Sequence, residues 1–200
     1  PPEKTLLNGV TGTFRPGKVT AIMGPSGAGK TVFLTTILNK LNPDWIQEGK
    51  FSVNGNLKAG QVRHVVGFVP QDDVLHPELT VAQNLYYSSG PPLPSDWRSE
   101  DRESLREAVL HALNLSAVRH VSIGDESSRG VSGGQRERCS IGLELASAPT
   151  ALFLDEPTTG LDAATALELC ALLKSLAEAT NLTVGMVVHQ PRVEIWEALD

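Results

Sequence analysis

The segment GPSGAGKT at 24–31 constrains this chain most, because it joins the apolar run VTAIMG at 19–24 to an apolar helical segment starting near Thr31. A glycine-rich turn between a buried strand and a helix start aims a set of backbone N–H groups, and the positive end of the helix, at one point in space. Gly24, Gly27 and Gly29 leave room for a tight cradle, with Pro25, Ser26 and Ala28 completing the loop. Lys30 supplies a positive charge for the outer phosphates of a nucleoside triphosphate, and Thr31 a hydroxyl for Mg2+. An ordinary glycine-rich loop is the bland alternative. The pattern arises by chance in about 1% of chains this long, and its strand-to-helix setting weighs further against chance.

Two more apolar runs repeat the strand-then-helix rhythm. ALFLD at 151–155 precedes the helical pattern ALELCALLKSLAEA at 166–179, and TVGMVVH at 183–189 follows it. The expected fold is therefore α/β, a P-loop NTPase core with a mainly parallel sheet. TGTF and GKFSVNG are short, glycine-punctuated alternations, which predict an N-terminal antiparallel β lobe. Between about 76 and 147 the strand signal fades, and Leu105, Val109 and Leu113 recur at helical spacing. That stretch is expected to be a helical lobe inserted in a single domain over 1–200, with PPLP at 91–94 as its connector and the charges from Arg98 to Glu107 on a solvated face.

The acids after ALFL extend the chemistry. Asp155 suits Mg2+, directly or through water, and Glu156 suits polarising an attacking water or accepting its proton. Acids leaving a strand are often only solvated loop residues, but a phosphate loop in the same sheet favours the catalytic reading. A formal charge of −6 opposes a broad nucleic-acid footprint, so no nucleic-acid partner is expected. Cys139 and Cys170 lack metal-ligand spacing and read as buried free thiols. No apolar run reaches the length of a membrane-spanning helix, about 18 residues or more. Membrane attachment would have to come from residues outside this span or from another subunit. Asn114 and Asn181 match a glycosylation pattern that an ATP-using domain facing the cytosol would not use.

Three further segments carry a family resemblance. VSGGQRERCS at 131–140 is similar to the signature of ABC proteins, with Val131 in place of the commoner Leu. The resemblance implies that Ser132, Gly133, Gly134 and Gln135 contact the γ-phosphate bound by an opposing domain. Gln71 in VGFVPQDD resembles the Q-loop glutamine, a Mg2+ and water contact that links nucleotide state to the helical lobe. His189 resembles the switch histidine near the γ-phosphate, and GLD at 160–162 resembles the D-loop, with Asp162 near the partner domain. The match runs from Thr5 to about Ala198 in family order. Wording such as FVPQDDVLHPELTVAQNL, DEPTTGLDA and VVHQPRVEIWE looks like the G subfamily, in which the nucleotide domain precedes a membrane domain in one polypeptide.

The resemblance implies ATP and Mg2+ as ligands and hydrolysis of ATP to ADP and phosphate, coupled to transmembrane transport. It further implies a head-to-tail pair with a second such domain, at the cytosolic face of a membrane. The adenine-stacking aromatic and the closing strands are expected outside this span, and Phe14 reads as a core residue. A soluble ABC-type ATPase acting on ribosomes or chromosomes, and a nucleotide-sensing module with little turnover, remain as alternatives. No Asn-Lys-x-Asp base-reading sequence supports a GTPase, and a small-molecule kinase would leave VSGGQ unexplained.

Overall fold

The computed structural model describes residues 5–40, 44–45, 48–55, 65–72, 74–87, 97–125, 127–189 and 193–198. Its elements run β1 (Val19–Met23), α1 (Lys30–Ile37), β2 (Val66–Val69), α2 (Val81–Tyr86), α3 (Ser99–Ala112), a 3-10 turn (Ser116–Val118), α4 (Gly133–Leu145), β3 (Ala151–Asp155), α5 (Ala163–Thr180), β4 (Thr183–Val188) and α6 (Val193–Ala198). The four strands form one sheet in the order β1-β4-β3-β2, and every pairing is parallel.

Parallel strands covered on both faces read as unbroken apolar runs, which explains why ALFLD and TVGMVV were legible. Successive side chains still alternate between faces. Leu152, Leu154, Val184, Met186 and Val188 face the larger core shared with α3, α4 and α5, whereas Phe153 and Val187 face the smaller core under α1, with Leu34 and Ile37. Both cysteines are buried and neither is joined in a disulfide.

The expected helices form with local reasons visible. Thr80 and Gln83 close a reciprocal capping box at the start of α2. In α3, Val109 and Leu110 are buried and Leu113 at its end is fully so, while Arg98 and Glu100 stay exposed. Asn114 and Asn181 adopt left-handed φ of 54° and 58°. They end α3 and α5 as asparagine often does, so these asparagines serve as helix terminators. The 76–147 segment is mainly helical, although its α4 also packs against β2, where Glu144 Oε2 accepts the Phe68 N–H at 3.1 Å. PPLP lies outside the described residues.

The antiparallel β lobe is not seen among the described residues. TGTF carries no strand and Val53 only a single bridge. These segments contribute side chains to the core: Phe14 stands edge-on to Phe153, ring centroids 5.1 Å apart, and Phe51 packs against the same smaller core. Both aromatic side chains are partly buried against Phe153 and its neighbours.

Gly185, in the middle of β4, makes room for this aromatic pair. A Cβ there would lie 2.6 Å from Phe153 Cδ1 and 2.8 Å from Phe14 Cε1. Gly185→Ala should therefore destabilise the fold by about 1–3 kcal/mol through overpacking, seen as a lower thermal midpoint. An unchanged midpoint would mean that the two rings do not occupy this face in solution.

Candidate active site

The strand register gathers the sequence motifs at one edge. Met23 pairs with Val188, Val187 with Asp155, and Leu154 with Val69. The segments that follow these residues are the phosphate loop, His189, Glu156 and the stretch containing Gln71, and all leave the sheet at its carboxyl end, where α/β sheets bind ligands.

The phosphate loop is built for anions. Gly27 and Gly29 take left-handed φ of 75° and 89°, and Gly29 caps α1 without a side-chain hydrogen bond. The first turn of α1 thus keeps its N–H groups free of side-chain competition. Pro25, Ser26, Gly27 and Ala28 are exposed, Gly24 is half-buried, and the Ala28 N–H closes the turn on the Pro25 carbonyl at 3.2 Å. Leu7 packs over Gly29, where a Cβ would come within 2.9 Å of its Cδ2.

Lys30 is buried, its Nζ donating to the Gly24 carbonyl at 3.1 Å and the Pro25 carbonyl at 3.2 Å. The same Nζ is 4.0 Å from Glu156 Oε1. Glu156 holds a left-handed φ of 56°, a conformation that costs a non-glycine residue free energy and is concentrated at functional sites. Thr159, absent from the sequence-based site, steadies it: its Oγ1 donates to Glu156 Oε2 at 3.1 Å, and its N–H to the Glu156 carbonyl at 3.0 Å. A hydroxyl three residues after an acid was the available signal.

Asp155 is the electrostatically stressed member. Its residue is 4% exposed and its Oδ1 has no hydrogen-bond partner. Burial pushes its carboxyl above the ordinary value; the Thr31 hydroxyl opposes this, the Glu156 charge adds to it, and Lys30 opposes it. A buried carboxyl with one orphaned oxygen, hydrogen-bonded by the Thr31 hydroxyl, is a hard-oxygen donor set. Mg2+ prefers such sites, typically one or two carboxylates completed by substrate phosphates, so these residues fit the cation. Gln71 and His189 are exposed at their strand ends.

The signature residues form a second group. Ser132 caps α4: its Oγ accepts the Gln135 N–H at 3.3 Å, while Gln135 Oε1 accepts the Ser132 N–H at 2.9 Å. Gln135 therefore spends its side chain on helix closure, and the Ser132 hydroxyl, used as an acceptor, keeps its hydrogen for an outside group. Asp162 caps α5, its Oδ2 accepting the Ala164 and Thr165 N–H groups, each at 3.1 Å. Gly133 faces Leu161 and Gly134 faces Thr165. The structure thus brings Lys30, Thr31, Asp155 and Glu156 together, and holds Ser132, Gly133, Gly134, Gln135 and Asp162 as a separate cluster.

The family pattern described as ABC transporter matches residues 7–159. The chain belongs to the ABC transporter family. It is 44% identical over 200 residues to ABC transporter G family member 28 of Arabidopsis thaliana, covering 99% of this chain and 18% of that protein. It is also 41% identical to the ABC-type transporter claG of Penicillium crustosum, covering 98% of this chain and 25% of that protein. This ABC domain accordingly spans a quarter or less of those relatives' length.

Among solved structures, it resembles the ADP conformation of MJ1267, an ATP-binding cassette of an ABC transporter, with a TM-score of 0.74 and 23% identity over 98% of this chain and 79% of that one. That likeness establishes the fold. The domain is a nucleotide-binding ATPase unit of the ABC type, and among its described residues no helix is long and apolar enough to cross a membrane.

The stress on Asp155 gives a test that needs no turnover. A carboxyl raised in the folded state contributes stability below its unfolded pKa, and that contribution is lost as pH rises through the folded value. Without metal, the wild-type protein should lose stability relative to Asp155→Asn as pH rises from about 4 towards 7. Mg2+ with nucleotide should restore the wild type and not the variant. Parallel melting curves for the two proteins across that range would remove the metal role from Asp155.

Proposed function

We propose that this domain binds ATP with Mg2+ at the carboxyl edge of its sheet, hydrolyses it to ADP and phosphate, and uses the cycle to drive transport through an attached membrane domain. The observation that carries the reading is the convergence of buried Lys30, orphaned Asp155 and Glu156, with Lys30 and Glu156 4.0 Å apart.

The loop N–H groups and the start of α1 receive the phosphate chain, and Lys30 exchanges its Gly24 and Pro25 carbonyls for phosphate oxygens. Asp155, Thr31 and Gln71 would hold Mg2+, which would supply charge neutralisation at the phosphates. Glu156 accepts the proton of the attacking water, and its displacement from Lys30 by the incoming phosphate frees its carboxylate for that task. Gln71 and His189, which follow β2 and β4 on either side of β3, orient the water at the γ-phosphate.

Ser132 and Gly133 are exposed, which supports completion of the site by a second copy packed head to tail. Each phosphate loop then faces the other copy's Ser132, Gly133, Gly134 and Gln135, with Asp162 at the same seam. ATP bridges the pair, and hydrolysis weakens it. The transporter names of the relatives, and their length beyond this domain, favour a membrane partner in the same polypeptide at the cytosolic face over a ribosome- or chromosome-acting ATPase.

Glu156→Gln should preserve ATP binding and lower turnover by about 100-fold or more, as expected for loss of a general base. It should also accumulate an ATP-dependent dimer. A wild-type single-turnover rate in the folded variant would reject Glu156 as the base. Slow hydrolysis without dimer would overturn the head-to-tail part.

A further inference from the structure

The two signature glycines stand in different surroundings. Gly133 is exposed, and a Cβ on it would meet only Leu161 Cδ2, at 3.7 Å, an ordinary contact. Gly134 is buried, and a Cβ on it would lie 2.4 Å from Thr165 Cγ2. Such a clash is cheap when the obstructing atom can swing away, but Thr165 cannot do so freely. Its Oγ1 donates to Asp162 Oδ1 at 2.6 Å, and its backbone N–H to Asp162 Oδ2 at 3.1 Å. Turning χ1 to clear the methyl would break the hydroxyl bond, and a β-branched side chain in a helix has few rotamers to choose from. A second tie lies one turn along α4: Arg138 Nε donates to the Gly134 carbonyl at 3.1 Å, and Arg138 Nη1 pairs with Glu168 Oε1 of α5 at 3.6 Å.

We propose that Thr165 is a positioning residue that locks the signature helix to the Asp162 loop of the same chain, and that Gly134 must be glycine because of Thr165, not because of nucleotide. The inference rests on the reading that Ser132 and Gly133 serve a nucleotide held by another copy. Thr165 then sets two things with one side chain, the rotamer of Asp162 through its hydroxyl and the seat of Gly134 through its methyl. Ser132 and Asp162 consequently move as one rigid unit, so a shift of either at the seam is felt by both.

Second-site suppression in the full-length polypeptide tests this. Gly134→Ala should lower ATPase kcat by about 10- to 100-fold through misplacement of the signature, leaving KM for ATP within about twofold because the phosphate loop is untouched. Thr165→Ser keeps the hydroxyl bond and removes the obstructing methyl, so the double variant G134A/T165S should recover to within about threefold of T165S alone. G134A/T165V, which retains a methyl and loses the hydroxyl, should not recover. The thermal midpoint should follow the same pattern.

A double variant G134A/T165S as slow as G134A would overturn the proposal by assigning the glycine requirement to nucleotide approach, and so would wild-type kcat in G134A. If G134A does not fold, folding and turnover of G134A/T165S support the proposal, and its failure where T165S folds rejects it. Ser132→Arg separates the underlying reading: wild-type turnover in that variant would remove the cross-domain role, while the midpoints of the glycine and threonine variants would still decide the packing claim.

Discussion

The pairing of β4 between β1 and β3 is the constraint on which the rest depends. It places Val188 beside Met23 and Val187 beside Asp155, so the loop holding Lys30 and the acids after β3 end at the same edge although they are far apart in sequence. Parallel strands need crossover connections, and those connections supply α1 and α5 to opposite faces. The start of α1, the buried Lys30 and the acids Asp155 and Glu156 thus share one register. A slip by one residue would also exchange Phe153 and Leu154 between cores of different size, which ties the site's geometry to the packing energy of the sheet.

Several residues of the site are held at a cost to the protein alone. Asp155 is buried with an orphaned oxygen, Glu156 carries left-handed backbone, and Lys30 is satisfied by loop carbonyls. Buried unpaired charge is expensive, and it persists where the surrounding structure over-determines it. Here that surrounding structure is the interior of a parallel sheet. In the proposed function, a cation and a triphosphate would relieve these tensions together.

The signature cluster is organised differently. Its residues are satisfied within the chain: Gln135 and Ser132 close α4, Asp162 closes α5, and Thr165 fills the space left by Gly134. What it presents outward is the Ser132 hydroxyl hydrogen and the exposed backbone of Gly133. A surface so pre-ordered contributes little side-chain entropy cost when something docks on it. One ABC domain therefore carries a strained cluster of titratable residues and a relaxed, pre-ordered one.

Reading the chain alone was sufficient wherever the cause is local. VTAIMG, ALFLD and TVGMVVH announce buried strands by continuous apolarity, GPSGAGKT announces an anion cradle by its glycines and position, and Leu105, Val109 and Leu113 announce α3 by period. Gln71, Ser132, Asp162 and His189 were recognisable by motif, but their surroundings were not. Strand order, the distance from Lys30 to Glu156, the orphaned oxygen of Asp155 and the contact of Gly134 with Thr165 depend on residues brought together from distant parts of the chain, which only tertiary packing specifies. The N-terminal alternation makes the same point: Phe14 and Phe51 have strand-like spacing, but that period records which side chains face the core and not that Phe14 stands edge-on to Phe153, a contact between distant segments.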